Sequence, residues 1–423
     1  MSKEILINIK EKTKRIAVVK NNLLEEFYLE VSSEESILGN IYKGIVRSVV
    51  PSIDAAFIDI GQGKNGFLYL GELTNPLVEE ELKEQVPKFD IYEKKDNANK
   101  YKVGDEVLVQ VVKEAFGTKG PRLTTHISLP GRYLVLMPLD RNIGISRRIS
   151  DHKERDRLRS TLEKINFLKN MGIIVRTVAQ GKGNRELIRD GSFLVKTWRD
   201  IRKRNLKQKP PSPVHKEYGI LLKVLRDVFS EDVEKVIIDS KREYINVFRF
   251  VRTYLGGHFA RKIKFYREGV PLFEFKNVED QIKKLYEKKV FLKSGAYIVI
   301  EPTEGLTVID VNSGRFTSKA NPEKAAFMVN LEAAREAARQ LRLRDIGGIV
   351  VIDFIDMVEE SNQRQVLYAF KEALSQDRAK TDVLGISKLG LVEMTRERTS
   401  RSIESKYYKI CPACEGRGKL KID

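Results

Sequence analysis

Cysteine is nearly absent from this chain: 423 residues contain two, Cys411 and Cys414. That excludes a disulfide framework and directs the close-spaced pair to metal or redox chemistry. Long apolar runs are missing too, with none near the roughly 20 residues that a bilayer-spanning helix needs. The opening MSKEILINIK has no apolar core of the kind a secretion signal carries. A cytoplasmic protein with no integral membrane segment is therefore expected. No Walker A sequence occurs, so ATP use is not indicated. Internal repeats and low-complexity tracts are also lacking.

Positive charge is abundant: 77 Lys and Arg stand against 59 acidic residues, a net charge of +18. Such an excess favours a polyanionic partner, by steering and by counterion release. Nucleic acid leads and an anionic membrane surface comes second. The membrane-surface reading needs a basic amphipathic helix with bulky apolar residues, and residues 184–206 are basic without a convincing apolar stripe. At 423 residues and 41% hydrophobic content, two to four packed domains are expected.

Along the chain, three short alternating runs fill the first 35 residues and read as antiparallel strands. Strand-type runs with Gly-containing turns continue to about Leu129 (NIYKGIVRSVV, DAAFIDIG, NGFLYL, DEVLVQVVKEA), the pattern of a small barrel. Residues 76–100 read as a charged surface loop. GQGKNG satisfies G-x-G-x-x-G, but strand-like FLYL follows it, so it is a turn and no dinucleotide site. Helical periodicity takes over at 151–169, 184–206 and 214–229, with Pro210 to Pro213 as a linker. Strand and helix signals then alternate through residue 378, which indicates an α/β domain with strands buried between helices.

Chemistry concentrates at the ends of two apolar strands. In LTVIDVNSGR, Asp310 and Asn312 leave the same face of a strand. A second strand, GGIVVIDFIDM, ends with Asp353 and Asp356. If the two are neighbours in one sheet, Asp310 and Asp353 converge at its carboxyl edge, where open α/β sheets place their sites. Two such carboxylates suit Mg²⁺, which keeps its waters and shares phosphate oxygens with the substrate. Phosphodiester hydrolysis needs little more. Asn312 would orient a carboxylate or bind the scissile phosphate. The alternative is that these acids cap helices or meet a nearby Lys or Arg.

At the other end of the problem, Cys411-Pro-Ala-Cys414 is half of a tetrahedral zinc site. None of the four histidines, His126, His152, His215 and His258, is close to it in sequence. A redox C-x-x-C is the competing reading, though glycines following Cys414 favour a knuckle turn.

VIDVNSGR, NLEAAREAARQLRLRDIGGIVVIDFIDM and CPACEGRG stand in the order and spacing of the ribonuclease E/G family. GNIYKGIVRSVVPSIDAAFIDIG, GTKGPRLTTHISLPGRYLVLMP and GISRRI extend that resemblance over residues 1 to about 420, and VQVVKEAFGTKG leans toward the family's G branch. The resemblance implies a magnesium-dependent endoribonuclease acting on single-stranded RNA in rRNA or tRNA processing or mRNA decay. Its products would carry 5′-phosphate and 3′-hydroxyl ends. Asp310 and Asp353 would hold the metal, Asn312 would assist, and Lys293 or Arg315 would supply cations.

The resemblance also assigns an architecture. Residues 1–35 and 129–210 would form a ribonuclease-H-like layer, with an S1-type OB barrel inserted at 36–128. A connecting helical and strand segment would span 211–279, followed by a deoxyribonuclease-I-like catalytic domain at 280–400 and a zinc-link at 401–423. Phe57, Phe67 and Lys119 would contact RNA, although alternating phenylalanines are equally expected in a barrel core. Gly131, Val135, Arg176 and Thr177 would sense a 5′-monophosphate, the last two otherwise being an ordinary surface Arg and strand Thr. Cys411 and Cys414 of two chains would share one Zn²⁺, making a homodimer. The chain ends nine residues past Cys414, short of the α/β domain in which family members commonly continue, so tetramers are not expected. The rival reading is a non-cleaving RNA-end-binding regulator, which would lack one of the acids.

Overall fold

The computed structural model describes residues 3–31, 36–71, 101–115, 119–146, 148–303, 305–315, 321–387 and 389–398, with 403, 408, 411–414 and 418. They form two compact units, one of Met1–Ser33, Glu231–Asn246 and Arg261–Asp423, the other of Glu34–Ser230 and Val247–Ala260. The loop expected at 76–100 lies outside the described residues.

The first unit opens on strands Lys3–Lys10, Thr13–Lys20 and Leu23–Val31, paired antiparallel in sequence. Asn21 and Asn22 turn the second hairpin at φ of 49° and 64°, the left-handed pair that a two-residue primed turn requires. Ile5, Leu6 and Ile7 are all buried, so the first strand is covered on both faces and belongs inside a sheet. Its second edge is filled by Val233–Ile238, running parallel, with Ile263–Phe265 outside that. This corrects the expected grouping of 1–35 with 129–210. A strand buried on both faces carries no alternation to register it, and its partner lies far along the chain.

The same unit contains a six-stranded sheet in the order Lys289–Phe291, Tyr297–Pro302, Leu306–Asn312, Gly348–Asp353, Val392–Arg396, Thr381–Ile386. Its inner face, including Ile298, Ile300, Ile309, Val350, Ile352 and Met394, packs under helices Pro322–Arg344 and Glu360–Leu374. Asn321 caps the longer helix by accepting from the Lys324 amide at 2.9 Å, and Pro322 begins it, a start suited to proline's fixed φ. Ala333, Ala334, Ala337 and Ala338 are all buried, and their small side chains let this helix lie close to the sheet. The helix expected at 278–288 is shorter, Glu279–Lys283 with one 3₁₀ turn, Lys284–Tyr286, after it, and Lys289–Phe291 then enters the sheet.

The second unit contains a closed five-stranded barrel: Ile41–Val50, Ala55–Asp59, Gly66–Tyr69, Arg122–Thr124 and Glu106–Lys113, the last pairing back to the first. Val46, Ile58, Leu68, Val109 and Leu123 fill it. Beside it, Leu129–Pro130, Leu134–Met137, Ile143–Ile145 and Gly172–Val175 make a four-stranded sheet sharing a core with helices His152–Glu163 and Asn184–Lys207.

Two further expectations change here. Pro210 to Pro213 is no free linker, because Ser212–His215 pairs antiparallel with Ile41–Val50 and Val214 is buried beside Trp198 and Ile201. The following helix therefore starts at Ile220, not Val214. Nor is 211–279 a separate connector, since 211–230 and 247–260 belong to the second unit and the rest to the first.

Candidate active site and nucleic-acid interface

The six-stranded sheet has one bare face, and it carries the acids. Leu306–Asn312 buries Thr307, Ile309 and Val311 inward, so Asp310 and Asn312 stand outward. Gly348–Asp353 buries Val350 and Ile352 and leaves Asp353 exposed. The two strands are parallel neighbours with Asp310 opposite Asp353. Residues so paired leave one face from backbones about 4.8 Å apart. Asn312 Nδ2 donates to Asp310 Oδ2 at 2.7 Å, while Asp353 has no side-chain partner among the described residues.

The loop after Asp353 is pinned from the long helix. Asn330, fully buried, accepts from the Ile355 amide at 3.0 Å and donates to its carbonyl at 2.7 Å. Glu323 accepts from the Val358 amide at 2.9 Å and from Asn362 at 2.7 Å. Asp356 lies in this loop, exposed. Neither Asn330 nor Glu323 is evident beforehand. A polar residue in the middle of an alanine-rich helix is the signal that singles out Asn330, since asparagine disfavours such a position unless its amide is used.

Among the described residues no cluster of three or more His, Cys, Asp or Glu could hold a metal. The donor set is thus the Asp310–Asp353 pair, which fits a hydrated, oxygen-seeking cation and not a caged one. Lys293 and Arg315 are exposed and share a corner. A Cβ on Gly314, whose φ is 56°, would sit 2.6 Å from the Gly295 carbonyl, so the two turns carrying these cations touch.

On the barrel, Phe57 and Phe67 are register partners on adjacent strands, half-buried, with ring centroids 5.9 Å apart at 71°. The core reading of this pair does not hold: Ala56, Ile58 and Leu68 take the interior. Arg122 is the opposite neighbour of Phe67, so a guanidinium stem shares that face, a contact the sequence did not single out. Lys119 is exposed three residues before the strand that begins with Arg122.

The residues expected around an RNA end are brought together in part. Arg176 Nη1 donates to the Gly131 carbonyl at 2.8 Å and to Asp227 Oδ1 at 2.7 Å. Thr177 Oγ1 lies 2.9 Å from Ser146 Oγ. Val135 is buried, so only its backbone is placed to contribute. Asp227 also meets Arg226 at 3.0 Å, and Arg226 meets Glu217 at 3.4 Å. Burial would raise the Asp227 carboxyl, but Arg226 and Arg176 overcome that and hold it well below the usual carboxylate range.

The turn after Gly131 is clamped by Asp190, which is buried and accepts from the Arg132, Tyr133 and Leu134 amides and from the Tyr254 hydroxyl. Burial pushes its carboxyl upward against those bonds. A Cβ on Gly131 would fall 2.6 Å from Asp190 Oδ2, so glycine is required there by the closeness of the clamp.

Cys411 is exposed and Cys414 half-buried. The backbone N–H groups of Cys414 and Ala413 donate to the Cys411 sulfur and lower its pKa below the usual thiol value, an arrangement suited to a thiolate ligand. Most of the segment 401–423, expected as a zinc-link, lies outside the described residues.

The Ribonuclease E/G family model matches residues 128–399, and the S1 RNA binding domain model matches 36–125. The chain belongs to the Ribonuclease E/G family. Ribonuclease G of Escherichia coli strain K12 is 39% identical over 421 residues, covering 100% of this chain and 85% of that protein. Ribonuclease G of Haemophilus influenzae is also 39% identical, over 99% of this chain and 84% of its own length. Ribonuclease E of Nostoc sp. is 39% identical over 99% of this chain but only 59% of its own. In this Ribonuclease E/G chain the S1 match coincides with the closed barrel, and the family match includes both Asp310 and Asp353. No described helix is long and apolar enough to cross a membrane.

Proposed function

We propose that this chain is a cytoplasmic endoribonuclease that hydrolyses phosphodiester bonds of single-stranded RNA, in the processing of rRNA or tRNA or the decay of mRNA. The observation that carries the proposal is the register pairing of Asp310 with Asp353 on the bare sheet face, with Asn312 bonded to Asp310. These carboxylates would hold Mg²⁺, which when bound would polarise a phosphate and lower the pKa of a bound water, so that hydroxide is available as the nucleophile. Asn312 holds Asp310 in one rotamer, and the Asn330 contacts fix the loop that follows Asp353. Lys293 and Arg315 would meet charge developing on the phosphate. Cleavage of the P–O3′ bond leaves a 5′-phosphate and a 3′-hydroxyl.

Phe57, Phe67 and Lys119, joined by Arg122, would hold the strand by stacking and charge. Arg176, Thr177 and the backbone at Gly131 and Val135 would accept a 5′-monophosphate, whose extra charge suits a guanidinium fork. Cys411 and Cys414 would share Zn²⁺ with a second copy, forming an isologous dimer. In this reading the five-stranded sheet of 3–31, 233–238 and 263–265 is the ribonuclease-H-like layer, and residues 289–396 are the deoxyribonuclease-I-like domain.

The test is cleavage of a short A/U-rich RNA, 5′-monophosphorylated or 5′-hydroxyl, by the wild type and by Asp353→Asn, with binding recorded in parallel. Mg²⁺-dependent cleavage that the variant loses while still binding supports the metal site, and faster cleavage of the monophosphate supports the Arg176 pocket. A wild type that binds RNA yet leaves it intact in Mg²⁺ and Mn²⁺ overturns the nuclease reading in favour of an RNA-end-binding regulator.

A further inference from the structure

The bare face of the six-stranded sheet continues past the acids onto two aromatic residues that no part of the proposed chemistry uses. Strand pairing sets out two rows. Phe291 lies opposite Tyr297 and Tyr297 opposite Asn312; Lys289 lies opposite Val299, Val299 opposite Asp310, and Asp310 opposite Asp353. Directly opposed residues share a face, so all of these side chains rise from the same side, at about 4.8 Å per strand. Tyr297 is thus one strand from Asn312, and Phe291 two.

Phe291 is 68% exposed on an edge strand, where a bare aromatic ring risks pairing with other chains. Its ring stands 6.1 Å from that of Tyr297, centroid to centroid, at 58°. Lys289 Nζ lies 3.5 Å from the Tyr297 centroid and 5.1 Å from that of Phe291. A cation at that distance over the ring face fixes the tyrosine plane and places positive charge beside it. Gly314 also packs against Tyr297, since a Cβ there would come within 3.3 Å of the ring.

We infer that Lys289, Phe291 and Tyr297 form a stacking subsite for a nucleobase of single-stranded RNA next to the phosphate held at Asp310 and Asp353. The inference rests on the endoribonuclease reading for the position of that phosphate. An exposed ring accepts the face of any base, a second ring set at an angle walls the site, and the ammonium meets the adjoining phosphate. Charge decides for RNA over an apolar partner: Lys289 lies over these rings, Lys293 follows Phe291 by two residues and Arg315 follows Gly314, and the chain as a whole carries a net charge of +18. Tyr297 reaches Asn312 within the length of one nucleotide, so the stacked base would fix the strand on one side of the cleaved bond.

The test uses the full chain carrying Asp353→Asn, so that RNA stays intact. Short single-stranded RNAs carry 2-aminopurine at successive positions, whose fluorescence is quenched on stacking. Phe291→Ala and Tyr297→Ala are compared with Phe291→Trp, with thermal melting as the check on folding. We expect one position at which quenching is lost in Phe291→Ala and kept in Phe291→Trp. Binding of that RNA should weaken about tenfold, the worth of one base–aromatic stack. An RNA with an abasic site at the same position should bind Phe291→Ala and its parent equally. Unchanged quenching and affinity, or an equal loss for the abasic RNA, overturns the subsite. So does a change of oligomeric state in Phe291→Ala, which would give this face to a second copy of the chain. Failure of the nuclease reading is separable: the wild type would leave the RNA uncut whatever the quenching shows.

Discussion

Asp310 and Arg176 carry opposite charges, and their surroundings differ as much as the charges do. Asp310 and Asp353 are exposed, and among the described residues the Asn312 amide makes the one side-chain hydrogen bond to either. Arg176 is three-quarters covered and already shared between a carbonyl and Asp227, which is itself shared with Arg226. A cation arriving between the two aspartates meets unsatisfied negative charge. An anion arriving at Arg176 meets a guanidinium whose counter-ion is in place. The acids are thus placed by sheet register, with the Asn312 amide on Asp310, and are free to serve a ligand, whereas Arg176 is part of a network that also holds the second unit together. Substitutions in the first region should change chemistry and spare stability; in the second they should do both.

The largest expected effect is at Asp353. Replacing it by Asn should lower Mg²⁺-dependent cleavage by about a hundred- to a thousandfold and leave RNA affinity unchanged. The melting temperature should stay within about 2 °C of wild type, because no described protein group depends on that carboxylate. A large drop in melting temperature would show that the acid is structural and would erase the contrast with Arg176.

Asp190 sharpens the other side. Its replacement by Ala strands the Tyr133 and Leu134 amides and the Tyr254 hydroxyl proton inside the protein, while the Arg132 amide keeps the Tyr254 oxygen as acceptor, which should cost about 3 kcal/mol. Amide hydrogen exchange at Arg132, Tyr133 and Leu134 reads it directly. Exchange should accelerate there while amides of the six-stranded sheet keep their protection. An unaltered pattern would mean that water replaces the carboxylate and that the turn holds itself.

Much of the acidic site was legible because it rests on local pattern. An apolar run ending in Asp-x-Asn, and another ending in Asp, mark strand ends, and Asn-Pro before an alanine-rich stretch marks the helix between them. That the two strands are adjacent was left open by the sequence, since a helix crossover allows parallel neighbours without requiring them, and the pairing in the sheet supplies it. The Arg176 network was not legible beyond its resemblance to the family. Asp190 and Asp227 sit on helices where an isolated acid reads as solvent-facing, and only tertiary packing turns them inward. Pairing of Lys3–Lys10 with Val233–Ile238 failed for a related reason: nothing local in either strand names the other. Strands Thr381–Ile386 and Val392–Arg396 were missed because both are short, with Asp382, Glu393 and Thr395 among their apolar residues.

Asn312 tests whether orientation matters on the bare face. Asn312→Ala removes the side-chain hydrogen bond that the described residues make to the Asp310 carboxylate without removing a carboxylate, and should lower cleavage about ten- to a hundredfold, the usual loss when a group supporting a metal ligand is deleted. Raising Mg²⁺ should recover part of that loss if the amide serves to aim Asp310. Recovery would be absent if the amide instead contacts the phosphate. The titration therefore separates the two roles left open by the sequence.

The smallest effect is expected at Asp227, and pH reads it. A carboxylate held below its ordinary pKa of 3.8 contributes stability that is fully present well above that value and is lost as pH falls through it toward the lowered one. Asp227→Asn should cost about 1–2 kcal/mol at pH 7, less than a fully buried pair because the side chain keeps 24% of its exposure and the network retains Glu217. The stability gap between wild type and variant should hold constant from pH 7 to about 5 and narrow below 4. Guanidinium-chloride midpoints at each pH measure it. Freed of its counter-ion, Arg176 should at the same time bind a 5′-monophosphorylated RNA at least as tightly as before at pH 7. If end preference collapses instead, Asp227 positions the guanidinium rather than competing for it.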